Sequence, residues 1–166
     1  ELVRQIALTN DAKLVVLDQA ESALYDLQQE LKKVCRIGDE FIVGNVRDRQ
    51  FMESVFQKYR PQYVFHAAAY KHVPLMEANP YESVFTNVFG TKMVADLASQ
   101  YGVEKFVMVS TDKAVNPTNV MGATKRIAEI YVSALNAQSA TKYIVTRFGN
   151  VLGSNGSVIP LFEKQL

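Results

Sequence analysis

The sequence lacks several features that define other classes of protein. It has one cysteine, Cys35, so it has no disulfide framework, and it has no Cys-x-x-Cys pair or Cys/His cluster to hold a metal. No apolar run approaches the ~20 residues that a membrane-spanning helix needs, and the charged start ELVRQ is unlike a signal peptide. The 18 Lys and Arg residues nearly balance the 17 Asp and Glu residues, so the net charge favours neither nucleic acid nor a membrane surface as a partner.

The composition and length are those of an ordinary globular protein. A hydrophobic content of 48% and a charged content of 21% exclude the disordered and fibrous classes. A chain of 166 residues can bury a sizeable core as one domain without disulfides or metals. We therefore expect a soluble α/β domain in a reducing compartment, the cytoplasm.

Short apolar runs alternate along the chain with longer segments of helical period. The predicted strands are 14–18, 40–43, 63–69, 105–110 and 142–148, and the main predicted helices are 20–34, a segment around 51–56, 81–101 and 122–137. Strands separated by single helices predict right-handed crossovers and a Rossmann-like, doubly wound parallel sheet with helices on both faces. We expect one NAD(P)-binding domain over residues 1–166.

Both ends of this fold look cut. Residues 1–9 have helical spacing and precede what behaves as the second strand, whereas such a fold normally begins with a strand and a glycine-rich turn. No GxGxxG or GxxGxxG occurs in the chain, and LFEKQL ends it without a second lobe. The sequence predicts a fragment truncated at both ends; the alternative is a compact domain that starts with a helix.

Polar or small residues follow the first three predicted strands. Asp18 could accept hydrogen bonds from the hydroxyls of an adenosine ribose, or it could cap the next helix. Asn45 could meet an adenine edge, although an ordinary turn residue explains it as well. The small residues Ala67, Ala68 and Ala69 could admit a cofactor or serve tight packing, and His66 fits an interior histidine better than a catalytic base.

The densest polar cluster follows the fourth strand. Ser110, Thr111, Asp112 and Lys113 stand where open α/β sheets bind ligands, and they offer a hydroxyl, a carboxylate and an amine in succession. The next helix carries Met121 and Lys125 one turn apart on one face. A solvated Asp–Lys turn is the plain alternative.

A glycine-rich stretch follows the fifth strand, over residues 147–160. Backbone amides around Gly149, Gly153 and Gly156 could approach a phosphate, with Arg147 as the counter-charge. A surface loop explains the same composition.

Four strings together resemble one family. They are HAAAYKHVPLME at 66–77, Asn-x-x-Gly-Thr at 87–91, STDKAVNPTNVMGATKR at 110–126 and RFGNVLGSNGSVIPLF at 147–162. They resemble the polysaccharide-biosynthesis branch of the extended short-chain dehydrogenases, and more closely its bacterial UDP-N-acetylglucosamine 4,6-dehydratases. The resemblance covers the whole chain and implies a tightly held NAD and a UDP-sugar substrate.

The resemblance also assigns expected roles. The catalytic positions are Thr111, Asp112, Lys113, Met121 and Lys125; the cofactor positions are Asp18, Asn45, Val46, Ala67, Ala68, Ala69, Asn87, Ser110 and Lys125; the substrate positions are His72, Arg147, Gly149, Asn150 and Ser154. In this chemistry hydride leaves C4 of the sugar, water is eliminated across C5 and C6, and hydride returns to C6. Our hypothesis is that Lys113 takes the C5 proton, that Asp112 protonates the C6 hydroxyl, and that burial beside Lys125 lowers the pKa of Lys113.

One position departs from the wider superfamily. Its usual Tyr-x-x-x-Lys pair reads Met121-Gly-Ala-Thr-Lys125 here, and a thioether has no proton to exchange. A non-catalytic nucleotide-binding module therefore stays open beside the dehydratase, and an epimerase or reductase of the same superfamily stays open because it would share the fold and NAD. We also expect a homo-oligomer, no nucleic-acid partner and no membrane contact from this segment, which could be the cytoplasmic part of a membrane-anchored bacterial protein. Alone, the fragment is expected to bind NAD poorly and to be inactive.

Overall fold

The structure, a computed structural model, describes residues 1–9, 12–34 and 38–149. The chain divides into two units, Glu1–Arg60 and Pro61–Leu166, and each has a parallel sheet of its own. The single domain expected over residues 1–166 stays a prediction, and each unit is described by itself.

The first unit alternates helices with two short strands. Its elements are α1 (Leu2–Thr9), β1 (Val15–Asp18), α2 (Glu21–Leu31), β2 (Glu40–Val43) and α3 (Arg49–Tyr59). The two strands are parallel, and Asp18 at the end of β1 pairs in register with Val43 at the end of β2. Their carboxyl ends therefore lie at one edge of this sheet.

The second unit contains a three-stranded parallel sheet in the order β3-β4-β5. Its elements are β3 (Tyr63–His66), α4 (Val73–Ala78), α5 (Pro80–Ser83), a π-helical segment (Val84–Gly90), α6 (Thr91–Gln100), β4 (Lys105–Thr111), a 3₁₀ turn (Asp112–Ala114), α7 (Val120–Leu135) and β5 (Lys142–Phe148).

The core of the second unit lies against one face of β4. Burial alternates along this central strand, and Phe106, Met108 and Ser110 are its buried residues. The Phe106 ring packs between His66 on β3 and Tyr143 on β5, with ring centroids 5.8 Å and 5.4 Å away. The core thus fixes β4 and β5 near their amino ends against the carboxyl end of β3.

The predicted parallel α/β architecture is confirmed, with two corrections. The described strands form two sheets rather than one, because no strand in residues 1–9, 12–34 and 38–149 pairs with both β1 and β3. The helix expected over residues 81–101 is α5, a π-helical segment and α6 in succession. Helix α4, in the HVPLME string, was not expected as an element of its own.

Candidate functional site

The carboxyl end of β4 carries the predicted catalytic triplet. The Thr111 hydroxyl donates to Asp112 Oδ1 over 2.9 Å, and Lys113 Nζ lies 3.2 Å from the same oxygen. These contacts, the Thr111 hydrogen bond first, lower the pKa of Asp112. Asp112 is therefore a carboxylate at neutral pH, able to accept a proton.

The expected burial of Lys113 is wrong. Its side chain is 38% exposed, and its Nζ faces Asp112. The amine of Lys125 points elsewhere, to the backbone carbonyl of Val109. The half-exposed Asp112–Lys113 pair corresponds to the solvated turn that the sequence left as the alternative.

Helix α7 begins beside this triplet. Asn119 caps it by accepting a hydrogen bond from the Gly122 amide over 2.8 Å. Gly122 is required there, because a Cβ at this position would lie 2.4 Å from the backbone oxygen of Lys113. The absent side chain brings the first turn of α7 against the triplet.

This approach buries Met121 and Lys125, each about 4% exposed, on one face of α7. The Lys125 ammonium donates to the Val109 carbonyl over 2.7 Å. Burial lowers the pKa of Lys125 to about 8, although the charge of Glu129 opposes the shift. Lys125 is thus a poorly solvated cation at the end of β4.

At the end of β3, His66 is an interior histidine, as expected. Its ring lies 2.9 Å from the Thr91 hydroxyl, and burial lowers its pKa to about 3, so it is neutral. Beyond it, Ala67 is exposed and Ala68 and Ala69 are half-buried. This leaves small residues at the surface, as a cofactor-facing loop requires.

The two other polar residues predicted to bind cofactor in this unit are both buried. The Ser110 hydroxyl is buried, and its nearest polar neighbour is the Glu129 carboxylate, whose pKa it helps to lower. Asn87 is fully buried, and its amide is engaged by Tyr70 and two other residues. Neither side chain is exposed at the surface, and the amide of Asn87 is already fully engaged.

Arg147, predicted to bind substrate, is paired with a buried carboxylate, Glu129, that sequence reasoning missed. Its Nε and Nη2 donate to the two Glu129 oxygens over 2.8 Å and 2.5 Å, and Arg126 adds a contact of 3.2 Å. Burial acts to raise the pKa of Glu129, but hydrogen bonds from Arg147, Ser110 and Arg126 outweigh it and lower the pKa. Arg126, Glu129 and Arg147 line an open groove of about 540 Å³, in which two arginines face one carboxylate.

The remaining substrate positions are only partly described. His72 is exposed and precedes α4. A Cβ on Gly149 would lie 3.5 Å from Asp112 Oδ2, so the end of β5 runs close to the triplet. Asn150 and Ser154 lie outside the described residues.

In the first unit, the predicted adenosine-binding residues share one edge of the sheet. Asp18 is exposed and accepts a hydrogen bond from the Ala20 amide, which makes it a turn residue before α2 rather than the cap itself. The Asn45 side chain joins the two strand ends, since it donates to Gln19 and accepts from the Arg47 amide. Val46 is buried.

Two features are not found in the part of the chain that the structure describes. No helix there is long and apolar enough to cross a membrane. No three His, Cys, Asp or Glu side chains there come together as a metal site would require.

The family model of a polysaccharide biosynthesis protein matches residues 1–166. The chain belongs to this family. The family resemblance predicted from the four sequence strings is thereby confirmed.

Curated relatives agree on the family and differ in their named activity. The capsular polysaccharide biosynthesis protein CapD of Staphylococcus aureus is 48% identical over all of this chain, which covers 28% of that protein. An inverting UDP-N-acetylglucosamine 4,6-dehydratase of Campylobacter jejuni is 37% identical over 92% of the chain and 45% of its own length. A UDP-glucose 4-epimerase of Rickettsia bellii is 36% identical over 96% of the chain and 48% of its own length.

Solved structures show the same fold. The X-ray structure of Pen from Bacillus thuringiensis matches with a TM-score of 0.88 and 36% identity, over 99% of this chain and 50% of that one. A Brucella ovis UDP-glucose 4-epimerase in complex with NAD matches with a TM-score of 0.67 and 21% identity, over 84% and 52%. The chain thus spans about a quarter to a half of the proteins it matches.

Burial of Lys125 predicts a pH-dependent stability. Its folded pKa of about 8 lies below the ordinary 10.5, so the unfolded chain binds more protons between these values and stability rises with pH in that window. Burial of the charged lysine lowers the free energy of unfolding by about 3 kcal/mol, at 1.36 kcal/mol per pKa unit, and this penalty is fully present below pH ~8. The substitution Lys125→Met removes the penalty. Denaturant unfolding at several pH values should show the variant's relative stability falling as pH rises; a constant difference would contradict the burial.

Proposed function

We propose that the natural protein is an NAD-dependent nucleotide-sugar 4,6-dehydratase that acts on UDP-N-acetylglucosamine in surface polysaccharide or glycan biosynthesis. The observation that carries the proposal is the hydrogen-bonded Thr111–Asp112–Lys113 triplet, which lies against the first turn of α7 at Gly122. An elimination needs a base and an acid in one site, and the triplet supplies both. Because the chain covers only part of its relatives, the activity belongs to the whole protein.

The residues of the second unit fit a nicotinamide cofactor. The Ser110 hydroxyl and the Lys125 ammonium are proposed to hold its nicotinamide ribose and carboxamide, and Ala67–Ala69 leave room beside them. Asp18, Asn45 and Val46 are proposed to bind its adenosine half. The cofactor supplies a reversible hydride acceptor, and the NAD-bound description of a structural neighbour supports its identity.

The chain's own groups then move protons. Asp112 starts as a carboxylate, because Thr111 and Lys113 stabilise its charge, so it can accept the C4 hydroxyl proton directly or through Thr111. Met121 stands where a tyrosine would do this and cannot, since a thioether carries no proton. The proton that Asp112 gains is the one needed later by the departing C6 hydroxyl.

Lys113 completes the elimination. Its Nζ lies 3.2 Å from Asp112 Oδ1, so an amine stands beside the proposed acid. We assign the C5 proton to this amine in its neutral form, and the same amine returns the proton to C5 when hydride adds to C6. His72, Gly149, Asn150 and Ser154 are proposed to hold the UDP-sugar, whereas Arg147 acts through Glu129 at the end of β5.

Assembly and location complete the proposal. Tyr81, Phe85 and Phe89 expose aromatic rings at intervals of four residues, and Ile127 and Ile130 are exposed on α7. Such surfaces support a homo-oligomer. The proposed location is the cytoplasm, where the single cysteine would stay reduced.

Two other functions have support from the relatives or from the sequence. A 4-epimerase is supported by the Rickettsia relatives, and a non-catalytic nucleotide-binding module is supported by Met121. The Asp112–Lys113 pair favours the dehydratase over both, because epimerisation involves no elimination and binding alone needs no acid–base pair.

Mass spectrometry of the product distinguishes the three functions. The natural protein is incubated with UDP-N-acetylglucosamine and NAD, and we expect a nucleotide sugar lighter by one water. An unchanged mass with a C4 epimer would establish the epimerase instead. If NAD binds and the sugar is unchanged, the protein is a non-catalytic nucleotide-binding module.

The role of Lys113 predicts a specific defect. In deuterated water, Lys113→Ala should lower C5 deuterium incorporation by ~10²–10⁴-fold, the usual cost of removing a positioned acid–base group. The matched control is Lys105→Ala, because Lys105 is an exposed lysine at the opposite end of β4. Normal C5 exchange in Lys113→Ala would refute the assignment.

A further inference from the structure

The end of β5 directs two neighbouring side chains to opposite faces of the sheet. Arg147 points towards α7, because its guanidinium donates to both oxygens of the buried Glu129. Successive side chains of a strand alternate between the two faces. Phe148, the last residue of β5, therefore points to the face away from α7, and 49% of it is exposed.

Phe148 has the predicted catalytic triplet as its neighbour. It is the register partner of Thr111, the last residue of β4, so the two side chains extend on the same face from strands that lie about 4.8 Å apart. The next residue, Gly149, approaches the carboxylate, since its Cβ would lie 3.5 Å from Asp112 Oδ2. The end of β5 thus brings an exposed aromatic ring beside the two groups proposed to act on the C4 and C6 oxygens of the sugar.

The proposed reaction makes this edge of the sugar less polar. C6 changes from a hydroxymethyl group to the CH₂ end of an unsaturated ketone, and then to a methyl group. The elimination is reversible, because water can add back to C6 while a proton returns to C5. An aromatic ring against the C5–C6 edge limits the access of bulk water to C6 and gives the methyl group of the product an apolar contact.

We propose that Phe148 is a substrate-binding residue whose ring covers the C5–C6 edge of the sugar and keeps bulk water from C6 until hydride returns there. The inference rests on the proposed function for the identity of the sugar and for its reaction. Arg147, held by Glu129, fixes the direction in which the Phe148 ring points.

Isotope exchange in H₂¹⁸O tests whether the ring excludes water. The natural protein is allowed to consume part of its UDP-N-acetylglucosamine, and mass spectrometry gives the ¹⁸O at C6 of the remaining substrate relative to the product formed. In Phe148→Ala we expect this ratio to rise at least tenfold, because solvent water adds back to the unsaturated ketone. Phe148→Leu keeps a large apolar side chain and should stay within about threefold of the wild type.

The matched control for the truncation is Phe65→Ala. Phe65 is a comparably exposed phenylalanine, at 45%, on the same face of the same sheet. It is in register with Val107, four residues before Thr111, and so lies away from the strand ends. We expect the wild-type ratio in this variant.

Calorimetry supplies a second readout that needs no turnover. The proteins compared also carry Asp112→Asn, so that the sugar is not consumed. Adding Phe148→Ala should weaken the binding of UDP-N-acetylglucosamine about fivefold and leave the binding of UDP unchanged, since the ring contacts only the sugar. Unchanged binding of UDP also shows that the site is folded.

The outcomes separate this inference from the proposed function. A wild-type ¹⁸O ratio in Phe148→Ala, or an equal rise in Phe65→Ala, would overturn the inference. If the wild type removes no water from the sugar, the dehydratase proposal fails. The affinity for UDP-N-acetylglucosamine relative to UDP then decides whether Phe148 contacts the sugar, and an unchanged relative affinity would overturn that contact as well.

Discussion

The close approach of α7 to the turn after β4 is the constraint on which the candidate site depends. Gly122 makes it possible, because any Cβ at this position would collide with the Lys113 carbonyl oxygen at 2.4 Å. The Asn119 cap fixes where the helix begins, and the approach then buries Met121 and Lys125. A helix displaced outward by one side chain would move Met121 and Lys125 away from the end of β4.

Two buried charged residues on α7 differ in how well their neighbours stabilise their charge. Glu129 is satisfied by two arginines, so its charge is stabilised despite burial. Lys125, one turn earlier, has a backbone carbonyl as its hydrogen-bond acceptor, and the more distant Glu129 compensates only in part, so its pKa falls to about 8. A paired buried charge serves positioning, whereas a poorly compensated one is typical of a site that receives a ligand. This contrast favours Lys125, and not Arg147, as the cation that meets the cofactor or substrate.

Local sequence patterns were sufficient for the strands and for the triplet. The runs at 40–43 and 142–148 are strands with the predicted bounds. Short runs with β-branched residues between two helical segments favour the strand conformation. Met121 and Lys125 share a face because helical spacing requires it. The glycine-rich stretch after β5 predicted Arg147 as a phosphate ligand, but its partner Glu129 is 18 residues away and no local rule identifies it. The π-helical segment was missed for the same reason: its extra residue per turn is held by contacts with Tyr70 and Thr124, which are distant in sequence.

The most direct measurement of the central claim is the dehydratase activity of Gly122→Ala, compared with its folded state by circular dichroism. We expect a folded protein whose rate of water loss from UDP-N-acetylglucosamine is at least ~10²-fold lower, since small misplacements of catalytic groups cost rates of this order. Gly102→Ala is the matched control: it strains a positive φ of 70°, but nothing lies within 4 Å of its Cβ, so it should reduce stability and spare the rate. A Gly122→Ala protein with near-normal activity would contradict the claim that the approach of α7 assembles the site.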